Sequence, residues 1–250
     1  MAAPSSDSDA FEYSGLELAL AEQAACWRAY YGAWLRQYLR GRVLEVGAGM
    51  GGTTRLLHRG HPTDWLCLEP DATLAGRFAA RQAQGLLAAG LRLRVGTLAT
   101  LPATEGLFDT ILYVNVLEHI ADDAAEVACA YARLAPGGCL VVLVPAHQWL
   151  FSRFDAAIGH FRRYTRARLR RVLPAEGQVR QLLYLDSLGL LAAAASKLLG
   201  QTYPTPAQVK LWDRGLVPIS RRLDWLLRYT VGKSVLAVLQ KPALGPPSGP

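Results

Sequence analysis

The sequence predicts an α/β fold: a doubly wound, mostly parallel sheet of seven strands with helices on both faces. Three observations predict it. Short apolar strands alternate with helical segments between residues 42 and 144. Most of those strands have a continuous apolar character, which is typical of parallel strands buried on both faces. A glycine-rich turn directly follows the first strand, and right-handed crossovers between parallel strands then produce the doubly wound arrangement.

Each element follows from an apolar run or from apolar residues at helical spacing. The predicted strands cover residues 42–46, 65–68, 91–95, 109–114, 139–144, 179–185 and 234–240. The predicted helices cover residues 15–40, 52–58, 72–83, 122–134 and 166–172. Gly41 is expected to end the first helix, and Thr165 is expected to cap the last one.

The chain is expected to form a single domain over residues 11–241, between disordered tails at 1–10 and 242–250. Three parts of that domain lie outside the regular alternation. They are a helical N-terminal cover at 11–40, an aromatic and basic loop at 146–164, and a mostly helical insertion at 187–233 before the last strand. Insertions at the carboxyl ends of strands commonly shape ligand sites, so the insertion is expected to wall a substrate pocket or to form a homodimer contact.

The composition excludes several classes of protein. Hydrophobic residues make up 51% of the 250 residues and charged residues 19%, which excludes intrinsic disorder for most of the length. The four cysteines are scattered and form no CxxC pair, which excludes a disulfide framework and a zinc ribbon. Residues 1–10 lack the basic and apolar regions of a signal peptide, and no apolar run is long enough to span a membrane. The protein is therefore expected to be soluble and cytoplasmic.

The net charge of +7 is unevenly distributed along the chain. Residues 1–150 hold 11 Lys/Arg and 15 Asp/Glu, a balance of −4, whereas residues 151–250 hold 16 and 5, a balance of +11. Such an asymmetry predicts either an anionic partner for the second part or a solvated basic surface. An anionic small substrate and a membrane surface are both candidates.

The strongest local motif is the glycine-rich segment RVLEVGAGMGG at residues 42–52. Glycines there let the backbone turn sharply and approach a ligand closely. Gly47, Gly49 and Gly52 satisfy the GxGxxG pattern of dinucleotide sites, and Glu69 lies 20 residues after Gly49, where such sites place an acid. Glu45, however, lies within the strand itself, where it would repel a pyrophosphate but would suit a ligand with an ammonium group.

At these residues the sequence resembles the class I S-adenosylmethionine-dependent methyltransferases, whose sheet is Rossmann-like. Five segments carry the resemblance in the family's order and with family-like spacing: VLEVGAGMGG (43–52), LCLEPD (66–71), VGTLATL (95–101), FDTILYVNVLEHI (108–120) and LAPGGCLVVLVPA (134–146). The resemblance implies that S-adenosylmethionine is the cofactor. Many relatives place an acid within the stretch matching 96–98, where this chain has Gly-Thr-Leu, so the contact to the adenine amino group departs from the pattern.

The resemblance also implies which residues contact the cofactor. Glu45 is expected near its amino-acid end, and Glu69 is expected to accept hydrogen bonds from both ribose hydroxyls, since a carboxylate can take two donors together. The other implied contacts, from the glycine turn and from the segments after the second, third and fourth strands, are Gly47, Ala48, Gly49, Pro70, Thr97, Leu98, Asn115 and Val116.

Candidate catalytic residues follow the fourth and fifth strands. His119 comes directly after the fourth strand, and the loop 146–164 resembles a bacterial subgroup of these methyltransferases in which an Asp, a Gly-His and an Arg-Arg-Tyr-Thr sequence recur. The candidate bases are His160, His119 and His147. The candidate substrate contacts are Tyr13, Asp155, Arg162, Arg163 and Tyr164, with Asp155 also placed to orient a histidine. In a competing interpretation, Asp155 and the arginines form salt bridges that hold the loop in place, and Tyr164 packs.

No metal is expected, because the five histidines show no HExxH spacing and no carboxylate cluster suits magnesium. The favoured function is methylation of a small molecule. The first alternative is an RNA or protein methyltransferase that uses the basic segment 162–171, although no separate RNA-binding module is visible. Two further alternatives are an NAD(P)-dependent oxidoreductase, which Glu45 disfavours, and a binding module without turnover.

Overall fold

The computed structural model describes residues 22–58, 64–201 and 204–243. Tyr13, the tail 1–10 and the start of the predicted first helix lie outside these residues. The strands are β1 (Val43–Val46), β2 (Trp65–Glu69), β3 (Arg92–Val95), β4 (Phe108–Val114), β5 (Leu134–Pro145), β6 (Gln178–Leu185) and β7 (Ser234–Gln240). The helices are α1 (Ala25–Leu35), α2 (Gly52–Leu57), α3 (Ala72–Ala83), α4 (Asp123–Ala132), α5 (Arg153–Ala157), α6 (Arg166–Val172), α7 (Ser187–Leu198), α8 (Pro206–Leu211) and α9 (Val217–Leu226).

The seven strands form one sheet in the order β3-β2-β1-β4-β5-β7-β6, which confirms the predicted fold class. Only β7 runs antiparallel to its neighbours β5 and β6; the other pairings are parallel. Successive residues of β1 and β2 enter two separate apolar cores: Leu44 and Leu66 face one, while Val43 and Trp65 face the other. The sheet is therefore covered on both faces, as its uniformly apolar strands predict.

The parallel pairing of β1 with β2 and β4 determines where the candidate site lies. Strand β1 lies between β2 and β4, with Glu45 opposite Cys67 on one side and Leu112 on the other. The carboxyl ends of β1, β2 and β4 therefore meet at one edge of the sheet, where ligands of doubly wound folds bind. The glycine turn, Glu69 and Asn115 follow those three strand ends.

The N-terminal helix differs from its prediction. Ala24 has φ −79° and ψ 69°, which interrupts the helix, and α1 passes into a short 3-10 helix that ends at Tyr38. No side chain of the local sequence caps α1. The cap comes instead from the insertion, where the Asp213 carboxylate accepts hydrogen bonds from the backbone N–H groups of Cys26 (3.1 Å) and Trp27 (2.8 Å).

The segment 187–233 is mostly helical, as predicted, and contains one turn of π-helix at Trp212–Leu216. A second buried aspartate joins it to the rest of the fold. The Asp224 carboxylate accepts hydrogen bonds from the Tyr30 hydroxyl (2.7 Å) and from the backbone N–H groups of Asp186 (2.6 Å) and Ser187 (2.9 Å). Across the described ranges, no helix combines the length and the apolar character needed to cross a membrane.

Candidate active site

A cavity of about 1430 Å³ opens at the carboxyl ends of β1, β2 and β4. It brings together all but one of the predicted cofactor contacts: its lining includes Gly47, Ala48, Gly49, Glu69, Pro70, Thr97, Leu98, Asn115 and Val116. The lining also includes side chains that the sequence did not single out as contacts, from α1 and from the insertion: Trp27, Arg28, Tyr31, Val209, Trp212 and Lys233.

The glycine turn needs its glycines for two reasons. Gly47, Gly49 and Gly51 have φ values of 68°, 55° and 80°, which lie in the left-handed region that favours glycine. In addition, a Cβ on Gly47 would lie 2.5 Å from a methyl carbon of Val116. The turn after β1 and the segment after β4 therefore approach each other directly behind the cavity wall.

Glu69 is held at the end of β2 by two backbone groups. Its Oε2 accepts a hydrogen bond from the Gly49 N–H at 2.7 Å, and its Oε1 accepts one from the Asp71 N–H at 2.9 Å. Burial raises the pKa of Glu69, and these two hydrogen bonds oppose that rise. Each carboxylate oxygen keeps a second lone pair, so the group can still accept two hydrogen bonds from a ligand.

Glu45 is the predicted cofactor contact that the cavity does not include. Its side chain lies behind the glycine turn, where Oε2 accepts hydrogen bonds from the Thr54 hydroxyl (2.8 Å) and from the Trp65 indole N–H (3.0 Å). Burial raises the pKa of this carboxyl to about 7. In the structure Glu45 ties β1 to α2 and β2, and its position beside the cofactor's amino-acid end stays a prediction.

Two distant segments form a polar cluster in the cavity wall. Glu118 and His119 lie in a 3-10 turn after β4, and His160 lies in the loop after β5. The rings of His119 and His160 pack edge to face at 4.5 Å between centroids, and His160 Nε2 lies 4.0 Å from Glu118 Oε1. The His160 Nδ1–H donates to Asp155 Oδ1 at 3.0 Å, which is the contact that the predicted orienting role of Asp155 requires.

Glu118 is the member of this cluster that the sequence analysis did not select. Its side chain is fully buried, and neither carboxylate oxygen has a hydrogen-bond partner among the described residues. Burial raises its pKa to about 8. The ring of His119 hydrogen-bonds to the backbone carbonyls of Ile158 and Gly159, and burial lowers the pKa of His119 to about 4. The adjacent Glu-His pair was the available signal, but only the fold places His160 beside it.

The predicted substrate contacts of the loop after β5 do not line the cavity. Arg163 forms a bidentate pair with Asp155, through Nε at 2.9 Å and Nη2 at 3.0 Å. Arg162 pairs with Asp123 at 2.9 Å, and the buried Tyr164 hydroxyl donates to the same carboxylate at 2.8 Å. These ion pairs are the ones that the competing interpretation describes, in which these residues hold the loop in place, and direct substrate contacts stay a prediction.

His147 is also absent from the cavity lining, although it was predicted as a candidate base. Its Nε2 hydrogen-bonds to the Gly232 carbonyl at 3.0 Å, and its ring stacks on Tyr184 at 5.0 Å between centroids. Its positive φ of 66° turns the chain here, where Ala146 and Tyr164 form a β-bridge. These contacts hold the loop in place, and a base role for His147 stays a prediction.

The charge of the cavity differs from the charge of the second half of the chain. Among the described residues that line it, Arg28 and Lys233 carry the positive charge, and the acids are Glu22, Glu69, Asp71, Glu118 and Glu126. The Lys233 ammonium lies 3.5 Å above the Trp212 ring and 3.6 Å from Asp186. The basic surplus after residue 150 is therefore not gathered at the cavity, and it gives no support to an anionic substrate.

A family model described as a methyltransferase domain matches residues 20–189. The trans-aconitate 2-methyltransferase of Deinococcus radiodurans is 29% identical over 73% of this chain and 72% of its own length. The norajmaline N-methyltransferase of Rauvolfia serpentina is 30% identical over 42% of this chain. The chain spans only 36% of that enzyme, and only 4% of a highly reducing polyketide synthase from Strobilurus tenacellus to which it is 30% identical.

Solved structures share the fold at low sequence identity. Phosphoethanolamine N-methyltransferase 2 of Haemonchus contortus, in complex with S-adenosyl-L-methionine, has a TM-score of 0.63 at 14% identity, covering 94% of this chain and 59% of that one. The [4+2]-cyclase SpnF has a TM-score of 0.60 at 15% identity, covering 86% of this chain and 81% of that one. Because a cyclase shares the fold, the architecture alone does not define the reaction.

Proposed function

The chain belongs to the methyltransferase-domain family, and on that premise we propose that it transfers the methyl group of S-adenosylmethionine to a small molecule. The cofactor would lie along the wall formed by the glycine turn, Glu69 and the segments after β3 and β4. The observation that carries this proposal is the Glu69 carboxylate, which Gly49 and Asp71 fix at the end of β2 with one acceptor position left on each oxygen. That arrangement suits the two hydroxyls of a ribose.

The acceptor would enter beside the Glu118–His119–His160 cluster. Asn115 and Val116, which the family resemblance assigns to the methionine portion, lead directly into Glu118 and His119 and line the same cavity. Methyl transfer from a sulfonium is an in-line displacement, for which holding the acceptor atom, methyl group and sulfur in line supplies much of the catalysis. We assign that positioning to His160, oriented by Asp155, together with its two neighbours.

A small acceptor is favoured over RNA or protein by the position of the basic residues. Arg162 and Arg163, at the start of the basic segment 162–171, are paired with buried carboxylates. The guanidinium groups of Arg166 and Arg168 lie over the rings of Tyr184 and Tyr164. The cavity is walled by α1 and by the insertion, and two curated relatives are named for small acceptors, norajmaline and trans-aconitate.

The test is binding to the purified protein by calorimetry. We expect S-adenosylhomocysteine to bind with micromolar affinity and one-to-one stoichiometry, and NADH to show no saturable binding. Tight binding of NADH without binding of S-adenosylhomocysteine would overturn the proposal in favour of an oxidoreductase. Methyl transfer from labelled cofactor to small acceptors, compared with transfer to RNA and to protein, then decides the acceptor class.

A further inference from the structure

We propose that Glu118, His119 and His160 bind one divalent first-row transition-metal ion, and that this ion holds an oxygen atom of the acceptor at the substrate end of the cavity. One ligand atom from each of the three residues lies within 4.8 Å of the others. Metal binding itself is independent of the proposed function, whereas the role of the ion in holding the acceptor rests on it.

The unpartnered carboxylate of Glu118 is the first observation behind this proposal. Buried polar groups are nearly always hydrogen-bonded, because a buried group without a partner loses its hydration and gains nothing in return. Glu118 is fully buried and belongs to the lining of the cavity, yet neither of its oxygens accepts a hydrogen bond from another described residue. A cation between Glu118 and the two imidazoles would satisfy this group without a change of fold.

The second observation is the arrangement around His160. Its Nδ1–H donates to Asp155 Oδ1, which leaves Nε2 as the ring atom available to an ion, and Nε2 is the atom 4.0 Å from Glu118 Oε1. Arg163 holds both oxygens of Asp155. A histidine that donates its second nitrogen to a fixed carboxylate is the usual way in which proteins orient a metal-binding imidazole. The ring of His119 is likewise fixed, by the carbonyls of Ile158 and Gly159.

The distances and ligand types define the class of ion. Two ligand atoms bound at about 2.1 Å to one tetrahedral ion lie about 3.4 Å apart. The 4.0 Å separation of Glu118 and His160 therefore needs a shift of about 0.6 Å, and the limit of 4.8 Å for the whole cluster corresponds to a shift of at most about 1.4 Å. Two imidazoles and one carboxylate suit Zn²⁺, Co²⁺ or Fe²⁺, whereas Mg²⁺ prefers oxygen ligands. Three protein ligands are typical of a catalytic site, in which a position is left for water or substrate.

The chemical consequence concerns the acceptor. A hydroxyl oxygen bound to the ion loses its proton to solvent more readily, because the ion stabilises the resulting oxyanion. The oxygen then forms a bond to the methyl carbon, the carbon–sulfur bond breaks, and its electron pair remains on sulfur. A His160 whose Nε2 binds the ion does not serve as the proton acceptor, so the ion takes the place of a general base. The acceptor class is therefore a hydroxylated small molecule.

The experiment titrates Co²⁺ and Zn²⁺ into chelator-treated protein, with S-adenosylhomocysteine binding measured on the same samples. We expect one Co²⁺ per chain, visible absorption bands of four- or five-coordinate cobalt, and competition by Zn²⁺ but not by equimolar Mg²⁺. X-ray absorption on the cobalt-loaded wild-type protein should show two imidazole ligands. Failure to bind either ion while S-adenosylhomocysteine still binds would overturn this inference and leave the proposed function intact.

Single substitutions test whether the ion binds to the side chains of the Glu118–His119–His160 cluster. Glu118→Gln keeps the shape of the side chain and removes the carboxylate that would bind the ion, and we expect it to weaken Co²⁺ binding at least 100-fold with unchanged affinity for S-adenosylhomocysteine. Glu126→Gln is the matched control, because Glu126 lines the same cavity outside the cluster, and it should bind Co²⁺ like the wild-type protein. If Glu118→Gln does not fold, His160→Ala replaces it with the same expectation. Retention of wild-type Co²⁺ binding in the folded variant would overturn the assignment.

Discussion

Glu69 and Gly49 are joined by a hydrogen bond of 2.7 Å from the backbone N–H of the glycine to a carboxylate oxygen. This bond links the turn after β1 to the end of β2, across two adjacent parallel strands. It fixes the carboxylate in the cavity lining and leaves one acceptor position on each oxygen. The position of Glu69 therefore depends on the conformation of the glycine turn, and both elements are expected to act together in cofactor binding.

We expect Glu69→Ala to weaken S-adenosylhomocysteine binding at least 100-fold. A hydrogen bond to a charged group is worth about 1.5–3 kcal/mol, so the loss of two costs at least about 3 kcal/mol, and about 2.7 kcal/mol already corresponds to a factor of 100. Glu69→Gln should also bind weakly, because its amide NH₂ would face the N–H of either Gly49 or Asp71. Calorimetry measures the affinity, with the exposed acid variant Glu176→Ala as the control. Wild-type affinity in Glu69→Ala would contradict the assigned ribose contact.

The fold was predictable from local patterns, whereas much of the site was not. Uniformly apolar strands and the glycine turn are local features, and Glu69 could be selected because it ends a strand. The Glu118–His119–His160 cluster depends on a contact between residues 42 positions apart that no spacing rule contains. The Arg162-Arg163 pair has a charge that is visible in the sequence, but its direction is decided by Asp123 and Asp155, which turn it away from the cavity.

The buried Glu45 predicts a pH dependence of stability. Its pKa is about 7 in the folded protein, raised by burial from an ordinary value of 4.5. Between these pH values the folded state retains a proton that the unfolded state has lost, so the free energy of unfolding falls as the pH rises through this window. The fall amounts to roughly 3 kcal/mol and is complete above pH 7.

Denaturant unfolding at pH 5 and pH 8 tests this expectation. Glu45→Gln lacks the titrating group, so its stability relative to the wild-type protein should improve by about 2.5 kcal/mol between the two pH values. Glu105→Gln is the control: hydrogen bonds from Arg92 lower the pKa of Glu105 from 4.5, so the wild-type protein loses that contribution mainly below this pH, and the stability difference of this variant should change little between pH 5 and pH 8. An identical pH profile for wild type and Glu45→Gln would show that Glu45 is not buried as described.

The hydrogen bonds of the Tyr164 hydroxyl predict that its removal lowers the stability of the protein without lowering its affinity for the cofactor. Its hydroxyl donates to Asp123 at 2.8 Å and lies 3.2 Å from the Leu117 carbonyl, both outside the cavity lining. Tyr164→Phe should lower the free energy of unfolding by about 1–2 kcal/mol, since a buried hydrogen bond to a charged group is lost. Its affinity for S-adenosylhomocysteine should stay within a factor of two of wild type. Unchanged stability would indicate that this hydroxyl does not hold the loop.

The hydrogen bonds of Asp213 predict that the insertion stabilises α1 and thereby one wall of the cavity. It caps α1 from the π-helical turn, 187 positions along the chain from Cys26, and each of its two oxygens accepts from a different backbone N–H group. Asp213→Asn replaces one acceptor by a donor, so one N–H at the start of α1 loses its partner. Helix caps are worth about 1–2 kcal/mol, and we expect a loss of that size together with faster hydrogen exchange in residues 25–35. Because Trp27 and Tyr31 of α1 line the cavity, affinity for S-adenosylhomocysteine should fall as well.

Thr205→Ala removes a comparable cap from α8 and serves as the control, since it should leave exchange in α1 unchanged. Faster exchange in α1 in both variants would mean that the insertion loosens as a whole and that Asp213 has no specific role in the cover.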